Sequence, residues 1–249
     1  MNLLGIIGYP LSHSFSKQYF TQKFENQGLT HDWKYETFSI EDIEKLTDLL
    51  RGQPDLVGLN VTIPFKKLVI PFLDEIDDEA REIGAVNCIK IKNGKLKGYN
   101  TDVYGFEKSL LGLLEGQDLK ALSALILGTG GAAKAAEFTL KKLKIPFLNV
   151  SRTRTNDALS YEDLDENIYK THKLIINTTP LGMSPNTEGC PNINFQYIDN
   201  QCFMYDLIYN PEETTFLRLG KERGAKIKNG MDMLLLQAEK GWEIWRFIG

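Results

Sequence analysis

Short apolar runs alternate with amphipathic stretches along the whole chain. Residues 3–7 form an unbroken apolar run, which predicts a buried strand ending at the turn Gly8-Tyr9-Pro10. Over residues 16–27, Tyr19, Phe20 and Phe24 fall on one face and predict a helix. A strand is predicted over 32–38, then a helix over 40–50 that Ser39 would cap, with Glu41 and Asp42 in its first turn. Residues 56–61 predict a third strand, and 77–83 a helix stopped by Gly84. Residues 87–92 and 95–99 read as two strands joined by Asn93-Gly94, a pair suited to a type I′ hairpin because both of its central residues need positive φ. The hairpin is expected at the edge of the sheet. An apolar pattern over 103–114 predicts the next helix.

The second half repeats the alternation. Strands are predicted at 124–127, 146–150, 174–180 with a polar exit, 202–206 and 225–228, and helices at 131–143 and 214–223. A loop fills 185–194. Asn229-Gly230 turns the chain into a terminal helix over 232–247, with Leu235, Ala238, Trp242 and Trp245 on one face, and this tryptophan-bearing face is expected to pack against a domain. The pattern predicts an α/β fold with largely parallel sheets.

A length of 249 residues suits two domains or one large one, and the border is expected near Asp102. With 42% hydrophobic and 25% charged residues the chain can bury an ordinary core. A net charge of −4 and the lack of a long basic run argue against nucleic acid as a partner. No apolar run is long enough to span a membrane, and the N-terminal residues carry no basic segment or cleavage signature, so neither a membrane span nor a signal peptide is expected. Cys88, Cys190 and Cys202 are odd in number and lack C-x-x-C spacing, which points to a reducing compartment, the cytoplasm, and away from disulfides or zinc. His13, His31 and His172 are scattered, so no metal is expected.

The chemistry gathers at strand ends. Gly128-Thr129-Gly130-Gly131-Ala132-Ala133 follows an apolar run and opens a helix, matching G-x-G-x-x-G/A. Such a turn presents free N–H groups and a positive helix end to phosphates, though a glycine-rich strand-to-helix turn also occurs without a ligand. The next strand ends in Ser151-Arg152-Thr153 with no acidic residue; arginine there suits the 2′-phosphate of NADP, where an acid would suit the ribose of NAD. Ser12, Ser14 and Ser16 crowd around His13 ahead of a helix: capping accounts for one serine, and a carboxylate cradle would account for several. Pro64 makes a stiff exit from the third strand and places Thr62 and Lys66 there. Lys66 is open to two readings, a solvated charge or a group at a ligand-facing edge. Asp102, in Asn100-Thr101-Asp102, is equally open as a helix N-cap or a functional acid.

Taken in order, the Ser-x-Ser beside His13, Asn60-Val61-Thr62-Ile63-Pro64-Phe65-Lys66, Gly84-Ala85-Val86-Asn87, Asn100-Thr101-Asp102, the glycine turn, and the late Gly230 and Gln237 resemble the shikimate dehydrogenase family from about Gly5 to about Ala238. The resemblance implies NADPH-linked reduction of 3-dehydroshikimate to shikimate, on the route to chorismate and the aromatic amino acids. It implies two α/β domains with a cleft between them: a substrate domain with a mixed, mostly parallel sheet (1–101 with 231–249), and a Rossmann-like NADP domain (102–230). It implies Lys66 and Asp102 as the catalytic pair. Ser14 and Ser16 would hold the carboxylate; Thr62, Asn87, Asp102, Tyr209 and Gln237 would contact the rest of the substrate. Gly128, Thr129, Gly130, Gly131 and Ala132 would take the phosphates, Ser151, Arg152 and Thr153 the adenosine phosphate, and Leu207 and Gly230 the nicotinamide, with Asp78 a further cofactor-side position. No metal is implied, and the chain would be a monomer or homodimer.

The chain departs from the family pattern in four places. Lys17 replaces a usual proline, which bears on where the first helix starts. Ser151 replaces a usual asparagine. Asn156 stands where a second arginine is usual and Arg154 sits earlier, leaving open which of them completes the phosphate clamp. The chain also ends soon after Trp245, which predicts a short last helix. Two alternatives accompany this reading: a quinate/shikimate enzyme of broader substrate or NAD use, and a non-catalytic NADP-sensing protein of the same fold, which would be expected to lack Lys66 or Asp102.

Overall fold

In the computed structural model the described residues are 1–11 and 14–246, so Ser12, His13 and Phe247 of the preceding reading lie outside them. The chain forms two compact units, Met1–Thr101 with Ala238–Gly249, and Asp102–Gln237.

The first unit is built in order from β1 (Asn2–Gly8), α1 (Phe15–Asn26), β2 (Trp33–Ser39), α2 (Leu46–Gly52), β3 (Leu56–Val61), α3 (Phe65–Leu68), β4 (Glu75–Ile76), α4 (Asp78–Ile83), β5 (Cys88–Lys92) and β6 (Lys95–Tyr99). Its six strands lie in the order β2-β1-β3-β5-β6-β4. β5 runs antiparallel to both of its neighbours, while β2, β1, β3, β6 and β4 point one way. The hairpin is therefore internal, because the two-residue strand β4 pairs alongside β6 and takes the edge. Its turn has the expected geometry, with φ of 53° at Asn93 and 74° at Gly94.

The helix expected over 40–50 differs. A 3₁₀ turn at Ile43–Lys45 precedes α2, and Asp42, not Ser39, supplies the cap by accepting from the Glu44 N–H at 3.1 Å. Ser39 is instead the last residue of β2, paired with Gly8. At α1, Lys17 does not displace the helix start: the helix begins at Phe15, and the Lys17 N–H bonds the capping Ser14 hydroxyl at 3.3 Å.

The second unit comprises α5 (Thr101–Leu113), β7 (Ala124–Leu127), α6 (Gly131–Lys142), β8 (Phe147–Ser151), β9 (Leu159–Ser160), α7 (Glu166–Thr171), β10 (Leu174–Asn177), β11 (Phe203–Asp206), α8 (Thr215–Glu222), β12 (Lys226–Lys228) and α9 (Met231–Arg246). Its strands are all parallel, in the order β12-β11-β10-β7-β8-β9. β7, β8 and β9 advance one way and β10, β11 and β12 the other, the strand order of a dinucleotide-binding sheet with its switch between β7 and β10. Strands β7 and β10 are buried at every residue, as their apolar runs require once helices cover both faces. Phe106, Leu110, Ala136 and Leu140 pack on one face, and Tyr169, Phe216 and Leu217 on the other.

The second boundary between the units falls within α9, since Met233 packs with the second core while Ala238, Trp242 and Trp245 pack with the first. There the aromatic cluster of Phe20, Phe24, Tyr35, Trp33, Trp242 and Trp245 covers one sheet face. Trp245 is 1% exposed, and its indole N–H donates to the Ile89 carbonyl at 2.9 Å. Trp245→Ala empties the largest fully buried side chain of the protein, and a loss of about 3–5 kcal/mol of unfolding free energy is expected in urea denaturation.

Candidate active site

Both sheets change direction at a switch point, and there the exits of two neighbouring strands diverge. In the first unit this lies between β1 and β3. The Thr62 N–H donates to the Ile7 carbonyl at 2.9 Å and the Tyr9 N–H to the Ile63 carbonyl at 3.1 Å, which ties the two exits together. Phe65, 2% exposed, anchors the short helix α3, and Lys66 follows it half-buried. The Lys66 carbonyl accepts from the Val86 N–H at 2.7 Å, and the Val61 N–H reaches the Asn87 carbonyl at 2.8 Å. Because β5 is antiparallel, its start at Asn87 and Cys88 lies beside the end of β3. One end of the sheet thus brings together Thr62, Lys66 and Asn87.

A buried polar chain that the sequence reading missed supports this edge. Tyr35 donates to the Asn60 side-chain oxygen at 2.7 Å, and the Asn60 amide donates to the Asn87 carbonyl at 3.4 Å. Burial pushes the Tyr35 hydroxyl's pKa well up, against the opposing effect of a hydrogen bond from Ser16. Asn87 is clamped to Thr101: its side-chain oxygen accepts from the Thr101 N–H at 2.7 Å, and its amide donates to the Thr101 hydroxyl at 3.0 Å. Asn60 and Thr101 stand inside sequence motifs, but nothing in the sequence assigns them a partner or a role.

Asp102 lies in the first turn of α5, which begins at Thr101, so the helix-cap reading of Asp102 does not hold. Asp78, expected on the cofactor side, is an exposed residue of the first unit, following the Asp77 cap of α4. Gln237 is buried in the second unit and donates to the Leu234 carbonyl at 2.9 Å; Tyr209 is exposed there.

In the second unit the glycine turn leaves β7 at the switch point. Gly128 has a φ of 110°, and a Cβ there would come within 2.7 Å of the Thr178 hydroxyl, so the position needs glycine. Gly130 caps α6 without a side-chain bond, and the space before Gly130 and Gly131 is open. The start of α6 thus has no side-chain cap on its first-turn N–H groups and leaves room beside its glycines for a bound group. At the end of β8, Ser151 bonds the Thr153 carbonyl. Arg152 is exposed and makes no ion pair among the described residues, whereas Arg154 is held by Asp163 at 2.9 Å. Among the described residues no group of three His, Cys, Asp or Glu side chains could hold a metal, and no helix is long and apolar enough to cross a membrane.

Asp206 ends β11 with no solvent exposure. Burial raises its carboxyl from 3.8 to about 6, opposed by hydrogen bonds from Thr214, the Ile208 N–H and Asn177. Between these two values the folded protein holds a proton that the unfolded chain has released. Stability therefore falls as pH rises from about 4 to about 6, by roughly 2–3 kcal/mol, and is flat above. Urea titrations of wild type and Asp206→Asn across that range should show wild type losing stability relative to the variant; a constant difference would refute the shift.

Residues 6–89 match the shikimate dehydrogenase substrate binding domain. A shikimate dehydrogenase (NADP(+)) of Methanococcus maripaludis is 39% identical, with 98% of this chain and 91% of that protein aligned. The chain belongs to the shikimate dehydrogenase family. A crystal structure of a shikimate dehydrogenase in complex with NADP+ superimposes with a TM-score of 0.84 at 34% identity, covering 100% of this chain and 91% of the other. The shikimate 5-dehydrogenase of Thermus thermophilus, in complex with NADP(H) and shikimate, gives 0.83 at 29% identity, covering 99% and 94%. The α/β fold with parallel-rich sheets expected of a shikimate dehydrogenase is the fold described above.

Proposed function

We propose that the chain is an NADP-dependent shikimate dehydrogenase that interconverts shikimate and 3-dehydroshikimate. The observation that carries this reading is the sorting of residue types between the two switch points. The first unit's edge offers hydroxyls, an amide and an amine, suited to a polyhydroxylated acid. The second unit's edge offers a glycine turn and an arginine with no ion pair among the described residues, suited to a phosphorylated dinucleotide.

In this proposal Ser14 and Ser16 hold the substrate carboxylate, and Thr62, Asn87, Tyr209 and Gln237 orient the ring. Lys66 takes the proton of the reacting hydroxyl during oxidation and returns it during reduction, with Asp102 as its partner. Gly128, Thr129, Gly130, Gly131 and Ala132 hold the pyrophosphate; Ser151, Arg152 and Thr153 hold the 2′-phosphate; Leu207 and Gly230 face the nicotinamide. The bound cofactor supplies hydride transfer, while the protein supplies position and electrostatics. Asp78 is kept only as an outlying cofactor contact, given its place in the first unit. The absence of an acid at Ser151-Arg152-Thr153, where β8 ends, favours NADP over NAD. The enzyme would act in the cytoplasm as a monomer or homodimer.

The test is a steady-state assay of reduced-nicotinamide absorbance with shikimate or quinate, each with NADP+ or NAD+. Turnover is expected with shikimate and NADP+. Preference for quinate would transfer the assignment to the broader enzyme, and cofactor binding without turnover would make the chain a sensor.

A further inference from the structure

Asp206 is a fully buried carboxylate to which the reaction above gives no role, yet it joins three segments of the second unit. One oxygen accepts from the Asn177 amide at 3.1 Å and from the Ile208 N–H at 3.0 Å; the other accepts from the Thr214 hydroxyl at 2.7 Å. Asn177 ends β10, Ile208 lies in the exit loop of β11, and Thr214 caps α8. All three partners donate, so the site is built for an acceptor-only group. An asparagine would present its own N–H groups to donors and leave at least one of them without an acceptor.

The bonds continue toward the cofactor side. The Asn177 side-chain oxygen accepts from the Thr179 N–H at 3.0 Å and from its hydroxyl at 2.7 Å, fixing the β10 exit. The Leu207 N–H donates to the Asn177 carbonyl at 3.0 Å. The Ile208 carbonyl in turn accepts from the Gly230 N–H at 3.0 Å. Gly230 packs so tightly on Leu207 that a Cβ would overlap the Leu207 carbonyl. Leu207 and Gly230 are thus held against each other one bond away from the peptide that Asp206 grips.

We propose that Asp206 is a positioning residue for hydride transfer: by gripping Ile208, Asn177 and Thr214 together it fixes the Leu207–Gly230 wall on which the nicotinamide rests. This inference relies on the NADP-dependent reading given above. The adenosine end of the cofactor is held elsewhere, after β8, so loosening Asp206 should disturb the nicotinamide and spare the 2′-phosphate.

The experiment compares wild type, Asp206→Asn, Thr214→Val and Thr214→Ser. It measures kcat with shikimate and NADP+, the Kd of 2′,5′-ADP (which carries the 2′-phosphate and no nicotinamide), and Tm. Asp206→Asn should lower kcat by about 10- to 100-fold, the scale of a misplaced reacting group, while the Kd of 2′,5′-ADP stays within about twofold. Thr214→Val should fall in the same direction by less, and Thr214→Ser, which keeps the donated hydrogen bond, should restore it. If Asp206→Asn does not fold, the Thr214 pair decides. The inference is overturned if the variants lose Tm alone and keep kcat, or if 2′,5′-ADP binding falls in step with turnover. Wild type that neither binds NADP+ nor oxidises shikimate would instead overturn the functional assignment itself.

Discussion

Lys66→Ala should lower kcat for shikimate oxidation by about 10²- to 10⁴-fold, the range expected when a positioned acid–base group is removed. The KM for NADP+ should hold, because Lys66 belongs to the first unit and the glycine turn to the second. The substitution should leave the fold intact. What fixes this segment is the buried Phe65 ring and the backbone bonds from Phe65 to Thr62 and from Val86 to Lys66, none of which involves the lysine side chain. The fall therefore has to come from chemistry: hydride departure leaves a protonated carbonyl unless a neighbouring group takes the hydroxyl proton, and among Ser14, Ser16, Thr62 and Asn87 no other side chain is an amine. Pre-steady-state turnover separates the two roles the lysine could play. If kcat survives and only the KM for shikimate rises, Lys66 binds substrate and another group moves the proton.

What the sequence made legible follows from the range over which each signal acts. The run from Leu125 to Ala133 is local: strand, turn and helix start all lie within nine residues, and the structure places them as the pattern demands. The Asn93-Gly94 turn is equally local, but its place in the sheet is not. The hairpin is internal because β4, two residues long, covers it, and two residues carry no periodicity to read. β9 escaped notice for the same reason. Ser39 and Asp42 competed for one helix start, and pairing of Ser39 with Gly8 on another strand decided it. The polar supports are wholly non-local. Tyr35, Asn60 and Thr101 meet only after β2, β3 and the start of α5 are assembled, and Asp206 reads in sequence as one more strand end. For the site residues themselves, spacing alone indicated edges and exits, and the family resemblance supplied the roles.

Arg152→Ala should reduce the preference for NADP+ over NAD+, measured as the ratio of kcat/KM values, by about 10- to 100-fold, the scale of one charge-assisted bond to a phosphate. The choice between the two nearby arginines rests on their partners. Arg154 is engaged: its guanidinium bonds Asp163 at 2.9 Å, and Asp163 is itself fixed by the N–H and hydroxyl of Ser160 at 2.7 and 2.8 Å. Those Ser160 bonds, with Arg154 adding to them, hold the Asp163 carboxyl below its ordinary range, so a phosphate drawing Arg154 away would have to displace a partner already ionised. Arg152 has no such competitor among the described residues and follows directly from β8, where Ser151 is tied to the Thr153 carbonyl. Asn156, in the place where a second arginine is usual, carries no charge, which makes the dependence on Arg152 steeper than in a two-arginine clamp. Arg154→Ala should accordingly change the NADP+/NAD+ ratio by no more than about threefold, the worth of a surface ion pair. Equal losses from both substitutions would show that the phosphate recruits Arg154 away from Asp163, and an unchanged ratio in Arg152→Ala would remove the end of β8 from cofactor selection altogether.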